Sequence, residues 1–473
     1  MRIAFVAAEM APHAQVGGLG DVTRWLPRAL AAGGDEVAVF LPGYDVLDPE
    51  GLAVRPVAGM GEVPLGPLGT AGLCTLGDPA PGVPTVYLVD APQWFHTGAV
   101  YGGAEEHLRF GVLAAAVPAL CGALGWVPDV LHANDWHTGL AALYLAGAGE
   151  PWASLPVVFT VHNLAYQGVF PAADLLRLGL EALAGRFDPE DLAGGWLNSL
   201  KTGIATASLV TTVSPSFARE MVTPEGGMAL DAALRARGDL PVGILNGIGD
   251  DWDPLTDPHL PYRYEVGDLE GKAVSTVALR KRFGLRERPG VPVLGVVSRM
   301  DRQKGFDLLR ETMPHLLARN RVQLAALGIG DPAIESLFAG LARRFPGEAA
   351  HVAAFDLGLS HLVEAGADIF LMPSMFEPSG LNQMYSMRYG TPPVAHRTGG
   401  LADSIEQWDG TSGTGFLFSP YTPEAFAAAL EDALAACEDR EGWRRLVTNG
   451  MQQDFSWASR AEEYRAVYRR VVE

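Results

Sequence analysis

Cysteine is scarce. Cys74, Cys121 and Cys437 lie far apart and form no CxxC pair, so the spacing supports neither a disulfide framework nor a thiolate zinc site. A reducing, cytosolic setting fits that usage. No run approaches the ~18–20 uninterrupted apolar residues of a membrane-spanning helix. The opening MRIAFVAAEM is too short and too weakly basic for a secretion signal and reads as a strand. Positive charge is also short: 35 Lys and Arg against 55 Asp and Glu give a formal net charge of −20. Such a chain repels nucleic acid and anionic membranes. A neutral polymer is not repelled, whereas an anionic ligand needs cations gathered locally. No internal repeat or long low-complexity tract interrupts the chain.

What is present is length and alternation. The 473 residues exceed one compact core, so two domains are expected. Apolar strand patterns alternate with helical ones throughout: strands at 2–8, 36–41, 129–137, 157–161 and 209–213, helices to about Ala32, within 101–124 and at 197–208, and short strands and turns over 50–95. Polar, turn-rich Gly249-Asp-Asp-Trp-Asp-Pro breaks the pattern. It restarts with strands at 291–298, 322–327 and 351–355 and helices at 306–319, 334–345 and 359–365. Such alternation predicts an α/β fold of two doubly wound, Rossmann-like domains facing across a cleft. The expected domains are 1–246 and 247–455. The last helix, 456–473, with its Tyr464 and Tyr468 stripe, crosses back onto the first domain.

Residues 369–405 carry the densest signal. Ile369–Met372 reads as a buried parallel strand, and Glu377-Pro-Ser-Gly as the turn into a helix that Gly390 closes. Pro393–His396 is the next strand, and Thr398-Gly-Gly opens another helix. Ligands of open α/β sheets sit beyond the carboxyl ends of the strands, where helix N-termini at Ser379-Gly380 and Gly399-Gly400 offer N–H groups to a phosphate. Glycine there admits close backbone approach. Glu377 is then a carboxylate beside an anion site, an arrangement for holding a sugar hydroxyl and a diphosphate side by side, although a lone Glu in such a place is more often just a helix N-terminal acid. Arg299 and Lys304 follow another strand and supply the cations; two basic residues in a solvated loop are the plainer reading.

In the first half, the Gly17-Gly18 turn falls where a phosphate or sugar binds in a βαβ unit, or is an ordinary tight turn. It is not a GxGxxG fingerprint. Successive strands end in Asp135-Trp-His137 and in His162, and both point toward one cleft. Asn246 ends a further unit. Asp251-Trp-Asp253 matches a bare DxD pattern, but acidic turns are frequent. His132 and His137 have no metal-ligand spacing, so no metal is expected.

Taken together, GGLGDV (17–22), HANDWH (132–137), TVHNLAYQG (160–168), TVSPSFARE (212–220), ILNGI (244–248), SRMDRQKG (298–305), PSMFEPSGLNQMY (373–385) and RTGGLADS (397–404) resemble bacterial glycogen synthases and plant starch synthases over the whole chain. That resemblance implies a GT-B glycosyltransferase that adds glucose from ADP-glucose to the non-reducing end of an α-1,4-glucan with retention, without metal or other cofactor. It implies that Arg299 and Lys304 stabilise the leaving diphosphate and that Glu377 contacts the donor glucose. Asp135 and His162 would position sugar and acceptor, Gly17, Gly18 and Asp21 shape the site, and Gly399 and Gly400 lie at the phosphates. The family's K-x-G-G reads Gln15-Val-Gly-Gly here, which keeps a donor and loses a cation. Smaller departures are Met375, where Arg is common, and Ser379, where Cys is common. The Gln15 departure leaves two other readings: a related enzyme using UDP-glucose or another acceptor, or a catalytically weak glucan-binding protein.

Overall fold

Ile3, Ala4, Phe5 and Val6 are fully buried, and Arg2–Val6 forms strand β1 in the middle of a sheet. Unbroken apolar runs are what a parallel sheet covered on both faces requires. The computed structural model describes residues 1–47, 53–77 and 80–473. They form two compact units, Met1–Gly247 with Trp457–Glu473, and Ile248–Ser456.

In the first unit the strands are β1, β2 (Glu36–Pro42), β3 (Val54–Pro56), β4 (Val63–Pro64), β5 (Thr70–Leu76), β6 (Thr85–Asp90), β7 (Val130–Asn134), β8 (Val157–Val161), β9 (Val169–Pro171), β10 (Trp196–Asn198), β11 (Leu209–Thr212) and β12 (Val242–Gly243). The main sheet runs β12-β11-β8-β7-β1-β2-β6-β5-β3, parallel from β12 to β6 and antiparallel beyond, with β4 on β5; β9 and β10 form a separate ribbon. Of the segment expected as short strands and turns, 50–52 and 78–79 lie outside the described residues. The second unit has a parallel sheet in the order β15 (Ala349–Val352), β14 (Gln323–Leu327), β13 (Val293–Val297), β16 (Ile369–Met372), β17 (Pro393–His396), β18 (Phe416–Phe418). Both sheets are doubly wound, and in the parallel part of each the strand order reverses at one place: between β1 and β7, and between β13 and β16. Ligand sites of open α/β sheets form beyond the strand ends at that switch point.

Four helices matter below: α1 (Gly18–Ala32), α2 (Asn382–Arg388), α3 (Gly399–Ser404) and α4 (Trp457–Val472). Helix α4 is in sequence the last element, yet it packs on the first unit's core through Trp457, Ala461, Tyr464, Val467 and Tyr468. Its Tyr468 hydroxyl meets Nδ1 of His132 at 2.7 Å, and the chain continues from His132 Nε2 to Thr160 Oγ1 (2.6 Å) and on to Thr211 Oγ1 (2.6 Å). Burial holds the His132 pKa down at about 3, so this buried ring is neutral. Arg465 donates to the carbonyls of Ala29 and Leu30 in the last turn of α1 and pairs with Asp35 at 2.6 Å. Helix α1 has no basic residue of its own in that turn, so α4 supplies the C-terminal cation that a helix dipole favours.

Several expected boundaries shift: the strand expected at 2–8 ends at Val6, and the one expected at 129–137 ends at Asn134, with Trp136–Thr138 in a 3-10 turn, so His137 stands beyond the strand. The helix expected from Leu197 starts at Ser199. Asn198 is its N-cap, accepting from the Lys201 N–H at 2.9 Å, and Leu197 belongs to β10. The strand expected at 351–355 is Ala349–Val352. Among the described residues its one strand partner is β14, at the sheet edge, and Phe355 is exposed. The next helix opens at Leu357 rather than Leu359, because Asp356 caps the Leu359 N–H.

Candidate active site

At the switch point of the second unit, the loop after β13 and the loop after β16 are stitched together. The Met375 N–H donates to the Gln303 carbonyl at 2.8 Å, and the Gln303 side chain donates back to the Phe376 carbonyl at 3.2 Å. Gly305, at φ 71°, lets the first loop lie against the end of β16. A Cβ there would fall 1.9 Å from the Pro373 carbonyl oxygen. This closeness brings Lys304 Nζ to 2.7 Å from Glu377 Oε2, which also accepts from Ser374 Oγ at 3.0 Å. Both charged groups are largely buried, with side-chain exposures of 18% for Lys304 and 7% for Glu377. Arg299 is half exposed and lies 3.3 Å from Asp301.

The glycines after β17 serve a different contact from the one expected. Cβ atoms at Gly399 and Gly400 would fall 2.1 Å from the carbonyl oxygens of Glu377 and Ser379, and the Gly400 N–H donates to the Glu377 carbonyl at 3.0 Å. Their close approach is to the neighbouring loop, whose shape they fix, and the Gly400 N–H is spent there. Helices α2 and α3 are also only seven and six residues long, so little macrodipole gathers at their N-termini. Thr398 is the buried N-cap residue of α3, Gly380 has φ 69°, and buried Ser379 Oγ meets no partner among the described residues.

The switch point of the first unit gathers the ends of β1, β7 and β8. Buried Glu9, just past β1, accepts from the N–H groups of Val16 and Gly17, both at 2.7 Å, and from the Tyr101 hydroxyl at 2.5 Å. A carboxylate already fills the turn before Gly18, so the turn suits a neutral sugar better than a phosphate. Gln15 donates to Asp21 at 2.9 Å across the start of α1. After β7, Asp135 has φ 56° and ψ −178°, a region almost reserved to glycine. Its carboxylate accepts from the His162 N–H at 2.7 Å. His162 Nε2 lies 2.9 Å from Asn134 Oδ1. His137 stacks on Tyr101 at 4.9 Å and leaves buried Nδ1 unpartnered among the described residues. Asn246 follows β12, separated from β7 by β11 and β8.

Burial pushes the Asp135 carboxyl up to about 7 and the rings of His137 and His162 down to about 3. The folded state holds the Asp135 proton more tightly than the unfolded one, so this group destabilises the fold increasingly as pH rises from about 4 to 7 and fully above that. Asp135→Asn should therefore raise the melting temperature at pH 8, by roughly 2–4 °C for each kcal/mol recovered, with the gain fading toward pH 4, while turnover falls. Melting curves across pH beside initial rates check both halves.

Sequence reasoning missed Glu9, Tyr101, Gln303 and Ser374. Ser374 and Gln303 lie inside the PSMFEPSGLNQMY and SRMDRQKG motifs, and Glu9 near the end of the opening MRIAFVAAEM; Tyr101 reaches Glu9 across 92 positions and left no local signal. The DxD pattern is a packed corner: Trp252 is sandwiched between His361 and Tyr385 with ring centroids at 3.8 Å on each side, and Asp253 accepts from the Leu255 N–H.

Residues 2–236 match the family model described as starch synthase catalytic domain, and residues 278–449 that of glycosyl transferases group 1. A glycogen synthase of Anaeromyxobacter dehalogenans (strain 2CP-1 / ATCC BAA-258) is 48% identical, covering 99% of each chain. One of Nitrosospira multiformis is 40% identical over 98% of this chain and 96% of its own. Among solved structures, the catalytic domain of starch synthase IV from Arabidopsis thaliana bound to ADP and acarbose is similar at a TM-score of 0.90 and 35% identity, covering 100% of this chain and 99% of that one. A sucrose-phosphate synthase from Thermosynechococcus elongatus, at a TM-score of 0.62 and 20% identity over 99% and 98% of the two chains, shares the fold.

Proposed function

Because this chain belongs to the glycogen synthase and starch synthase family of glycosyltransferases, we propose that it transfers the glucose of ADP-glucose to the non-reducing 4-hydroxyl of an α-1,4-glucan, with retention and without a metal. The observation that carries the reading is the Lys304–Glu377–Ser374 cluster at the switch point of the second unit. In a chain of net charge −20, a preset ammonium at a strand end is a place for the charge that develops on a departing diphosphate. Arg299 is the second cation, and Glu377 the group for a hydroxyl of the donor glucose. The bond from glucose C1 to the diphosphate oxygen breaks, and the bond from C1 to the acceptor oxygen forms on the same face. The acceptor proton passes to the departing diphosphate, and ADP leaves. In the first unit, Asp135 and His162 address sugar hydroxyls, beside a turn whose N–H groups Glu9 already occupies.

Gln15 favours a second reading, in which the chain binds glucan but is catalytically weak. This residue replaces the family's cation with an amide held by Asp21. A charge-assisted hydrogen bond contributes roughly 1.5–3 kcal/mol, or about one to two decades of rate. Glucose incorporation into glycogen, with ADP-glucose and UDP-glucose side by side, tests this for the wild type and Gln15→Lys. ADP-glucose-dependent incorporation by the wild type is expected, with a gain of about ten- to a hundredfold in Gln15→Lys. A preference for UDP-glucose would overturn the donor assignment. Glucan binding without nucleotide release from either donor would overturn the activity.

A further inference from the structure

Asn134 ends β7 and is fully buried. Its Nδ2 lies 3.0 Å from the carbonyl oxygen of Val6, the last residue of β1, and 3.5 Å from that of His132. Carbonyl oxygens only accept, so the amide edge facing them is the NH2 group and the amide cannot be turned over. Its Oδ1 is then the atom 2.9 Å from His162 Nε2. An amide oxygen also only accepts, so Nε2 carries the hydrogen. We propose that Asn134 is a positioning residue that fixes His162 as its Nε2–H tautomer, leaving Nδ1 as a standing acceptor for a sugar hydroxyl.

The rest of the surroundings agree. Asp135, the nearest carboxylate, takes the backbone N–H of His162 and leaves the ring to Asn134. The other ionisable groups around it are His132 and His137, both neutral through burial, and Glu9, which faces Asp135. Burial also keeps His162 itself unprotonated at neutral pH. No described residue donates to Nδ1, and the side chain is partly open to solvent. An unprotonated ring nitrogen attracts an O–H and repels a phosphate oxygen. His162 therefore reads a sugar hydroxyl, and the diphosphate has no partner in it. This rests on the glucosyl-transfer reading for the identity of the hydroxyl; the tautomer stands on the geometry alone.

Ring-nitrogen NMR of the full-length protein labelled with 15N-histidine tests it, with the His162 signals assigned through His162→Gln. A protonated Nε2, a bare Nδ1 and no titration across neutral pH are expected. A protonated Nδ1 in the wild type would overturn the proposal. In Asn134→Leu, similar in size and unable to accept, the tautomer should become mixed and kcat should fall about tenfold with KM for ADP-glucose little changed; an unchanged tautomer and kcat would again overturn it. Asn134→Asp keeps an acceptor on Nε2 but lets the ring take a proton, so a new acid limb near the ordinary histidine pKa of about 6.5 should enter the pH–rate profile. A purely structural role for Asn134 moves neither the tautomer nor that limb. If the wild type transfers no glucose from ADP-glucose, the functional reading falls while the spectrum still decides the tautomer.

Discussion

Lys304→Ala should lower kcat about 10²- to 10³-fold with ADP-glucose, the range seen when one preset electrostatic donor is taken from a site. The geometry makes Lys304 the stronger of the two cations. Its ammonium is held 2.7 Å from Glu377 and is mostly shielded from water, whereas Arg299 is half exposed beside Asp301. Removing the ammonium also leaves the Glu377 carboxylate, among the described side chains, with the Ser374 hydroxyl alone, so negative charge stands where a diphosphate is to be received. The double variant Lys304→Ala/Glu377→Gln separates these effects. If Lys304 acts on the leaving group, neutralising Glu377 does not restore turnover. If Lys304 only balances Glu377, the double variant turns over as fast as Glu377→Gln alone. Lys304→Arg should recover little, because a planar fork does not fit a site shaped for a compact ammonium. Initial rates of ADP release, with melting temperatures as the folding control, decide among these.

Arg465→Ala should destabilise the first unit by about 3–5 kcal/mol, the range for breaking one side of a buried ion pair. Side-chain exposures of 9% for Arg465 and 8% for Asp35 place the pair out of water. The same guanidinium closes the last turn of α1 at Ala29 and Leu30. Packing there is close: a Cβ at Gly33 would fall 1.8 Å from its Nη2. Pairwise replacement by apolar residues, Asp35→Leu/Arg465→Met, should be milder than Arg465→Ala, because no carboxylate is left short of its guanidinium and the only group that loses a partner is the more exposed N-terminal ammonium, 2.9 Å from Asp35. Urea unfolding followed by tryptophan fluorescence reports the difference. Equal losses in the two variants would mean that side-chain packing, and not the stranded carboxylate, sets the effect.

The alternation of buried runs with helical spacing gave the two doubly wound sheets directly from the amino-acid order, because parallel strands buried on both faces leave an apolar signature. Strand ends were legible for the same reason, and so were Lys304, Glu377, Asp135 and His162, each of which stands just past such a run. Less legible was what each group touches. Gly399 and Gly400 look the same in sequence whether the backbone they admit belongs to a ligand or to residues 377–379. Glu9 looks like an ordinary acid until the Tyr101 hydroxyl and the N–H groups of Val16 and Gly17 close around it. The Asn134 amide gains its meaning only when β1, β7 and β8 lie side by side. Edge strand β15 slipped because an edge is specified by one neighbour.

The position of α4 has a consequence for how the protein is made. During synthesis the N-terminal sheet emerges early, but the helix that covers His132 and caps α1 leaves the ribosome only after the whole second unit. At about 5–20 residues per second this unit waits roughly 10–45 s with that face of its core open. The second unit, Ile248–Ser456, is one unbroken stretch of chain and can finish first, so the domain begun first is completed last.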